Sequence, residues 1–332
     1  MLLALGRDCQ GPKAKSQSQN CQRDEMSEYH KPVMLQQCLD GLAIKPDGIY
    51  VDATFGGGGH SVEILKHLKT GRLIAFDQDD DARIEAEKIK DRSFTFCHAN
   101  FMHLKRYLKL NGVTQAAGVL ADLGISSHQI DSPERGFSTR FDGPLDMRMD
   151  KSISQTAAVV LNTYPEEELH KIFGMYGELR NARTVARMVV QHRVQKKFER
   201  TGDLKNALKE VAPRGREYKY FAQVFQALRI EVNDEMKALE NFLHQCGEIL
   251  ESSGRLVVMS YHSLEDRMVK NYMQKGKVFG DVEKDFYGHA IKPFEVVNRK
   301  PLEATEEEIS LNNRARSAKL RVAVKISPVP FR

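Results

Sequence analysis

The sequence predicts an α/β fold, a mainly parallel sheet covered by helices and interrupted by a helical insertion. Three observations predict it. Short, nearly all-apolar runs alternate with helical patterns from Gly48 to Asp122; the alternation then stops; strand-like runs return only at Arg255. Strands without a polar face belong in sheets buried on both sides, and strand–helix alternation makes such sheets parallel.

Residues 48–55 (GIYVDATF) read as the first strand, and the glycines after it open a helix over 61–69. RLIAFD at 72–77 is a second buried strand, followed by a charged helix over 80–90. SFTFC at 93–97 is the third strand and AAGVLAD at 116–122 the fourth. Residues 131–150 form a polar loop rich in Pro, Gly, Arg and Asp. Beyond it Leu169, Ile172, Phe173 and Tyr176 stand at i, i+3, i+4, i+7, and Leu204, Ala207, Leu208 and Val211 repeat the spacing. One long amphipathic helix is predicted over 221–250, with Phe225, Leu228, Val232, Met236, Leu239, Leu243 and Cys246 inward. Residues 255–260, 294–297 and 319–325 supply the remaining strands. The predicted organisation is a disordered leader, or a stretch ahead of a true start at Met26, over 1–27. A first sheet part follows over 28–130, an inserted helical unit over 131–222, a second sheet part over 223–326 and a tail over 327–332.

A chain of 332 residues with 41% hydrophobic and 29% charged residues can bury a substantial core. No run approaches the ~20 apolar residues that cross a membrane. Five scattered cysteines without a C-x-x-C pair argue against a disulfide framework and a zinc site, and suit a reducing cytosol. No metal is expected. The net charge is +5, but residues 180–229 hold 13 Lys/Arg against 4 Asp/Glu, which is +9 and leaves −4 elsewhere. Such a concentration suits a polyanion such as RNA, and equally a solvated helical face.

The strongest chemical signal is VDATFGGGGH at 51–60, between a strand and a helix. Glycines there let backbone approach a ligand and present amides at a helix N-terminus. Asp77 ends the next strand, where an acid accepts hydrogen bonds from ribose hydroxyls. The pair predicts a nucleoside-containing cofactor, the bland alternative being a loop that merely turns tightly. A dinucleotide fingerprint needs a third glycine where Ser61 stands, and a phosphate loop needs Gly-Lys-Ser/Thr where Gly-His-Ser stands. S-adenosyl-L-methionine, with a ribose and no phosphate, remains. Asp122 closes the fourth strand, at the crevice where α/β sheets hold ligands.

YHKPVM (29–34), DATFGGGGH (52–60), DLGISS (122–127), SPERGFS (132–138), DGPLDMRMD (142–150), FQALRIEVN (225–233), SYHSLEDR (260–267) and NRARSAKLR (313–321) occur in this order. Together they resemble the hallmark segments of the MraW/RsmH-type methyltransferases, which act on N4 of a cytidine in the decoding region of 16S ribosomal RNA. The resemblance runs from about Glu28 to Lys325, with Ala121 in place of a larger apolar residue and Tyr261 where phenylalanine is usual. It implies a class I methyltransferase sheet with an inserted helical substrate-recognition domain. It also implies cofactor contacts at Gly58, Gly59, His60, Asp77, Phe101, Asp122 and Gln129, and a small ribosomal subunit or its RNA as partner. Such enzymes occur as monomers and as homodimers, and a cytoplasmic location is expected.

The catalytic residue stays open, with Asp122, Asp146, Arg148 and His262 as candidates; His262 could equally make a structural hydrogen bond at the strand end. Arg135, Arg140, Arg148, Arg180, Arg183, Arg187, Lys196 and Lys197 are expected to grip RNA phosphates. Salt bridges to Glu134, Asp142 and Asp146 are the alternative for Arg135 and Arg148. Competing functions are a catalytically silent RNA-binding assembly factor and, less well supported, a nucleotide-dependent oxidoreductase.

Overall fold

The computed structural model describes residues 32–327. The expectations for 1–27, for Tyr29–Lys31 of the first motif and for the end of the tail lie outside the described residues.

Seven strands form one sheet: β1 (Ile49–Asp52), β2 (Arg72–Asp77), β3 (Phe94–His98), β4 (Ala116–Asp122), β5 (Leu250–Ser260), β6 (Phe294–Val296) and β7 (Lys319–Lys325). Their order is β3-β2-β1-β4-β5-β7-β6. The pairs among β1 to β5 are parallel, and β7 lies antiparallel between β5 and β6. The apolar strands explain the two-sided cover. On one face Leu104, Phe242, Leu243, Met268 and Val269 pack on Val51, Ile74, Val119 and Val258. On the other, Met34, Cys38, Leu42, Ile64 and Leu65 pack on Tyr50, Leu73, Leu120 and Val257. Order reverses between β1 and β4, so a crevice opens beyond their carboxyl ends.

After β4 the chain builds a second core without strands, from helices, their connections and the 131–150 loop, running from Phe137 to Val232. Its helices include Glu166–Met175, Ala182–Gln195 and Glu217–Asn233. The expected α/β sheet with a helical insertion is therefore the observed architecture. The helical core extends past residue 222, the boundary expected from sequence, because Phe225, Leu228 and Val232 belong to it.

Two further differences have local causes. The single helix expected over 221–250 is two, Glu217–Asn233 and Glu235–Ile249. Asp234 between them is left-handed, at φ 50° and ψ 38°. One such residue redirects the axis without interrupting the apolar period, so the first helix fills the helical core and the second fills the sheet core. Arg229 spans the break, donating to both carboxylate oxygens of Glu235 at 2.8 and 2.9 Å. Strand β5 starts at Leu250 rather than 255. Its polar stretch holds Ser253 at φ 69° and a register shift opposite Ala116 and Gly118, a bulge that reads as a turn in sequence.

Candidate active site

The crevice is a cleft of ≈ 290 Å³ beyond β1, β2 and β4. Its walls include Gly56, Gly57, Gly59, His60, Asp77, Phe101, Asp122, Gln129, Tyr261 and Arg314. The loop after β1 is tied to both neighbouring strands: Phe55 N donates to Phe76 O at 2.8 Å, and Asp122 N donates to Thr54 Oγ1 at 2.6 Å.

The glycines divide by role. Gly56 sits at φ 53° with open space where a side chain would be, and its amide donates to Asp77 Oδ2 at 2.8 Å. Gly58, expected at the cofactor, does not line the cleft; it is left-handed at φ 79°, and a Cβ there would lie 2.7 Å from the Phe55 ring. Its glycine serves the turn into the helix Gly59–His67. Ser61, where a dinucleotide loop would need glycine, is buried and donates to Asp52 Oδ2 at 2.7 Å. Burial raises the Asp52 carboxyl, opposed by His60 and by that hydroxyl.

Asp77 accepts from Gly56 and, at 2.9 Å, from the Asp79 amide. Burial still pushes its carboxyl up, and its remaining lone pairs are available to ribose hydroxyls. Phe101 lines the cleft and meets Phe242 edge-on at 5.2 Å, so the ring serves cleft and core together. Gln129 also lines the cleft, but its amide is engaged: Nε2 donates to Asp79 Oδ2 at 2.6 Å and Oε1 accepts from Ser126 N at 3.0 Å. His60 is buried, and burial lowers its pKa. Its Nε2 faces Val33 O at 3.2 Å, which only accepts, so the neutral ring carries its proton there and turns Nδ1 towards Asp122 Oδ2, 4.0 Å away. Burial pushes Asp122 up to about 7, against the hydrogen bond from Tyr261 and the charge of Arg314.

The lining suits S-adenosylmethionine. Asp77, Asp79, Asp81, Glu85 and Asp122 border the cleft, whereas among the described residues Arg314 is its one arginine and no lysine lines it. Such a wall favours a cationic sulfonium with a ribose and repels a polyphosphate.

The other catalytic candidates stand apart from the cleft. Asp146 and Arg148 close on each other at 2.6 and 2.9 Å, and Arg148 also donates to the carbonyls of Lys151 and Ile153. His262 caps the helix Ser263–Lys275 with Glu265 in a capping box. Donor atoms of Glu235, His262 and Glu265 lie within 4.8 Å of one another, a metal-like grouping unseen in the sequence spacing. Arg229 already holds Glu235 with two hydrogen bonds and supplies the positive charge a cation would bring.

The arginines expected on RNA separate by burial. Arg135 is a correction: it is 3% exposed, ion-paired to Asp79 at 2.7 Å and Asp81 at 2.8 Å, and donates to the carbonyls of Arg148 and Met149. It therefore cannot reach a phosphate, and its acids come from the β2 side rather than its own loop. Arg148 is likewise committed, to Asp146. Arg140 is exposed and paired to Asp131 at 2.6 Å, and Lys196 to Asp203 at 2.6 Å. Arg180, Arg183, Arg187 and Lys197 are exposed. A groove of ≈ 2240 Å³ adjoins the cleft and shares Phe55, Gly57, Ile125 and Arg314 with it; Phe137, Ser138, Arg140, Tyr218 and Phe225 of the helical unit form its other side.

Sequence reasoning passed over Asp52, Asp79 and Arg314, and noted Tyr261 only as a departure from a pattern. The spacing of Asp52 to Ser61 across the glycine loop is a usable signal; the contacts of Asp79, Tyr261 and Arg314 come from chain segments too distant for any spacing rule.

Curated relatives match nearly end to end. A ribosomal RNA small subunit methyltransferase H from Cytophaga hutchinsonii is 58% identical over 295 residues, 89% of this chain and 99% of that protein. One of the same name from Flavobacterium johnsoniae is 52% identical over 300 residues, 90% of this chain and 98% of that protein. A solved rRNA methylase from Streptococcus thermophilus is 13% identical with a TM-score of 0.37, covering 88% of this chain and 95% of that one, a likeness too distant to bear on function. The profile of the MraW methylase family matches residues 27–326, and the chain belongs to that family.

Proposed function

We propose that this protein transfers a methyl group from S-adenosylmethionine to the N4 amine of a cytidine in small-subunit ribosomal RNA. The observation that carries the reading is the acid-lined cleft at the reversal of strand order, with Asp77 at one side and Asp122 at the other. Residues 27–326 match a methylase family, and relatives at 52–58% identity carry a small-subunit methyltransferase name.

When bound, S-adenosylmethionine supplies an electrophilic methyl group on a sulfonium. Asp77 would accept from the ribose hydroxyls, the Gly56–Gly57 backbone would border the ligand, and Phe101 would offer an apolar face to its base. Cytosine's amine is a weak nucleophile because its lone pair is shared with the ring. A carboxylate that accepts from the amine N–H favours the localised lone pair and later takes the proton. Asp122 is the candidate acceptor, supported by its position at the cleft wall and by an ionisation poised near neutrality. Holding the amine in line contributes further, up to roughly 7–11 kcal/mol in well-oriented cases.

The target nucleotide leaves its stack to enter the cleft, and the adjoining groove accommodates its flanking strand. Arg140 beside that groove and the exposed Arg180, Arg183, Arg187, Lys196 and Lys197 hold phosphates. Among the described residues no helix is long and apolar enough to cross a membrane; the setting proposed is the cytoplasm, on the small subunit or its RNA.

The test is methyl transfer from labelled S-adenosylmethionine to small subunits lacking the modification, with nucleoside analysis and an Asp77→Ala control. N4-methylcytidine that disappears in the control is expected. Cofactor binding without label transfer would leave a silent assembly factor as the better reading, and no binding would refute the methyltransferase assignment.

A further inference from the structure

The cleft contains a contact between the residue that follows β5 and the carboxyl end of β4. Tyr261 follows β5, and its backbone amide donates to Glu265 Oε2 at 2.9 Å, so the residue is anchored by the start of the helix Ser263–Lys275. Its ring lies against the turn at Gly124, where a Cβ would sit 3.4 Å away. Its hydroxyl reaches across to β4 and donates to Asp122 Oδ1 at 2.7 Å. Oδ2 turns instead towards Nδ1 of His60 at 4.0 Å, beyond hydrogen-bond distance.

We infer that Tyr261 is a positioning residue, whose hydroxyl pins one oxygen of Asp122 so that the other is presented to the amine of the target base. The inference rests on the methyltransferase reading. In the step it serves, the amine lone pair forms the new C–N bond while the C–S bond breaks towards sulfur. The nitrogen, left with one proton too many, gives it to Asp122 Oδ2, which passes it on to solvent. The hydroxyl acts twice. It removes the rotational freedom of the carboxylate, and its proton stabilises the ionised form that must accept. The charged and titratable groups facing Asp122 are His60, Asp52, Cys38, Glu265, Arg314 and Tyr261 itself. Burial and the acids oppose ionisation; Tyr261 and Arg314 favour it.

Tyr261→Phe removes the hydroxyl and keeps the ring. One lost hydrogen bond to a carboxylate raises its pKa by about one unit. Starting from a midpoint of about 7, the ionised fraction at pH 7 then falls about five-fold, and the deficit vanishes above about pH 9. Two measurements test this. In cofactor-free protein labelled with ¹³Cγ-aspartate, the resonance identified by its loss in Asp122→Asn should titrate about one pH unit higher in Tyr261→Phe. In turnover, the acidic limb of the kcat profile should move by the same amount, with KM for S-adenosylmethionine unchanged. An unmoved Asp122 titration, or an activity loss equal at every pH, would overturn the positioning role. A raised cofactor KM with an unmoved limb would also overturn it, by making Tyr261 a cofactor contact. Failure of the unaltered protein to form N4-methylcytidine would instead defeat the functional reading, and the titration would still judge the Tyr261–Asp122 coupling.

Discussion

Replacing Arg135 tests whether burial overrides the charge pattern. The side chains of Arg135 and Asp79 are 4% and 7% exposed, their nitrogen and oxygen 2.7 Å apart, and Gln129 donates to the same carboxylate oxygen. Burial works against the ionised Asp79, but Arg135 and Gln129 outweigh it and hold the carboxyl below its usual range. Arg135→Ala leaves that carboxylate buried without its ion pair, a change that costs about 3–5 kcal/mol. At roughly 2–4 °C per kcal/mol the melting temperature should fall by about 6–20 °C. Because the folded pKa is depressed, the stabilisation is fully present above the ordinary aspartate range and fades only as pH drops through the folded value. The variant and the native protein should therefore draw together as pH falls below the ordinary aspartate value of about 4, and meet only once it has passed the lower folded value. Asp79→Ala in the same chain removes the stranded charge, so the double variant should be more stable than the sum of the single losses. Thermal melts across pH and RNA affinity across salt are the assays. A native melting temperature combined with a shallower salt slope would refute the structural role and return Arg135 to the RNA.

The remaining predictions are brief. Arg183→Ala with Arg187→Ala, both exposed on the helix Ala182–Gln195, should weaken RNA binding and flatten the log–log salt slope by about 0.7 per lost contact, with melting temperature and cofactor affinity unchanged; titrations at several salt concentrations check it. Gly58→Ala should cost at least about 1–2 kcal/mol and lower cofactor affinity, since φ 79° is strained for alanine and the new Cβ strikes the Phe55 ring; denaturant melts and calorimetry check it. Asp234→Gly should stabilise by up to about 1 kcal/mol in the same melts, because glycine adopts φ 50° without strain.

How much was legible in the sequence follows from the range of each interaction. Strands β2, β4 and β7 were readable to the residue because an apolar run is a local property. The glycine loop and Asp77 were readable because a strand, a tight turn and an acid at the next strand end are linked by short spacing. The helix break at Asp234 was not, since one left-handed residue leaves the 3.6-residue period intact. Nor was the second role of that break: it marks where the chain leaves the helical core and re-enters the sheet core.

Arg135 and Arg183 show why the site's finer assignments needed coordinates. Both are arginines in polar, arginine-containing segments, and counting charge treats them alike. Folding separates them completely, because the 131–150 loop is drawn over the end of β2. Asn233 holds that loop through the Met149 amide at 2.7 Å and the Met147 carbonyl at 2.8 Å. Once the loop is seated, Arg135 faces Asp79 and Asp81, 56 and 54 positions away in sequence, and loses its solvent. Tyr261 reaches Asp122 across 139 positions by the same logic. Each of these pairs joins an element after the insertion, or the insertion itself, to a strand end before it. The helical unit is thus part of the cleft's frame: its entry loop and exit helix brace the acids of the cleft, and changes in either should be felt at the cofactor.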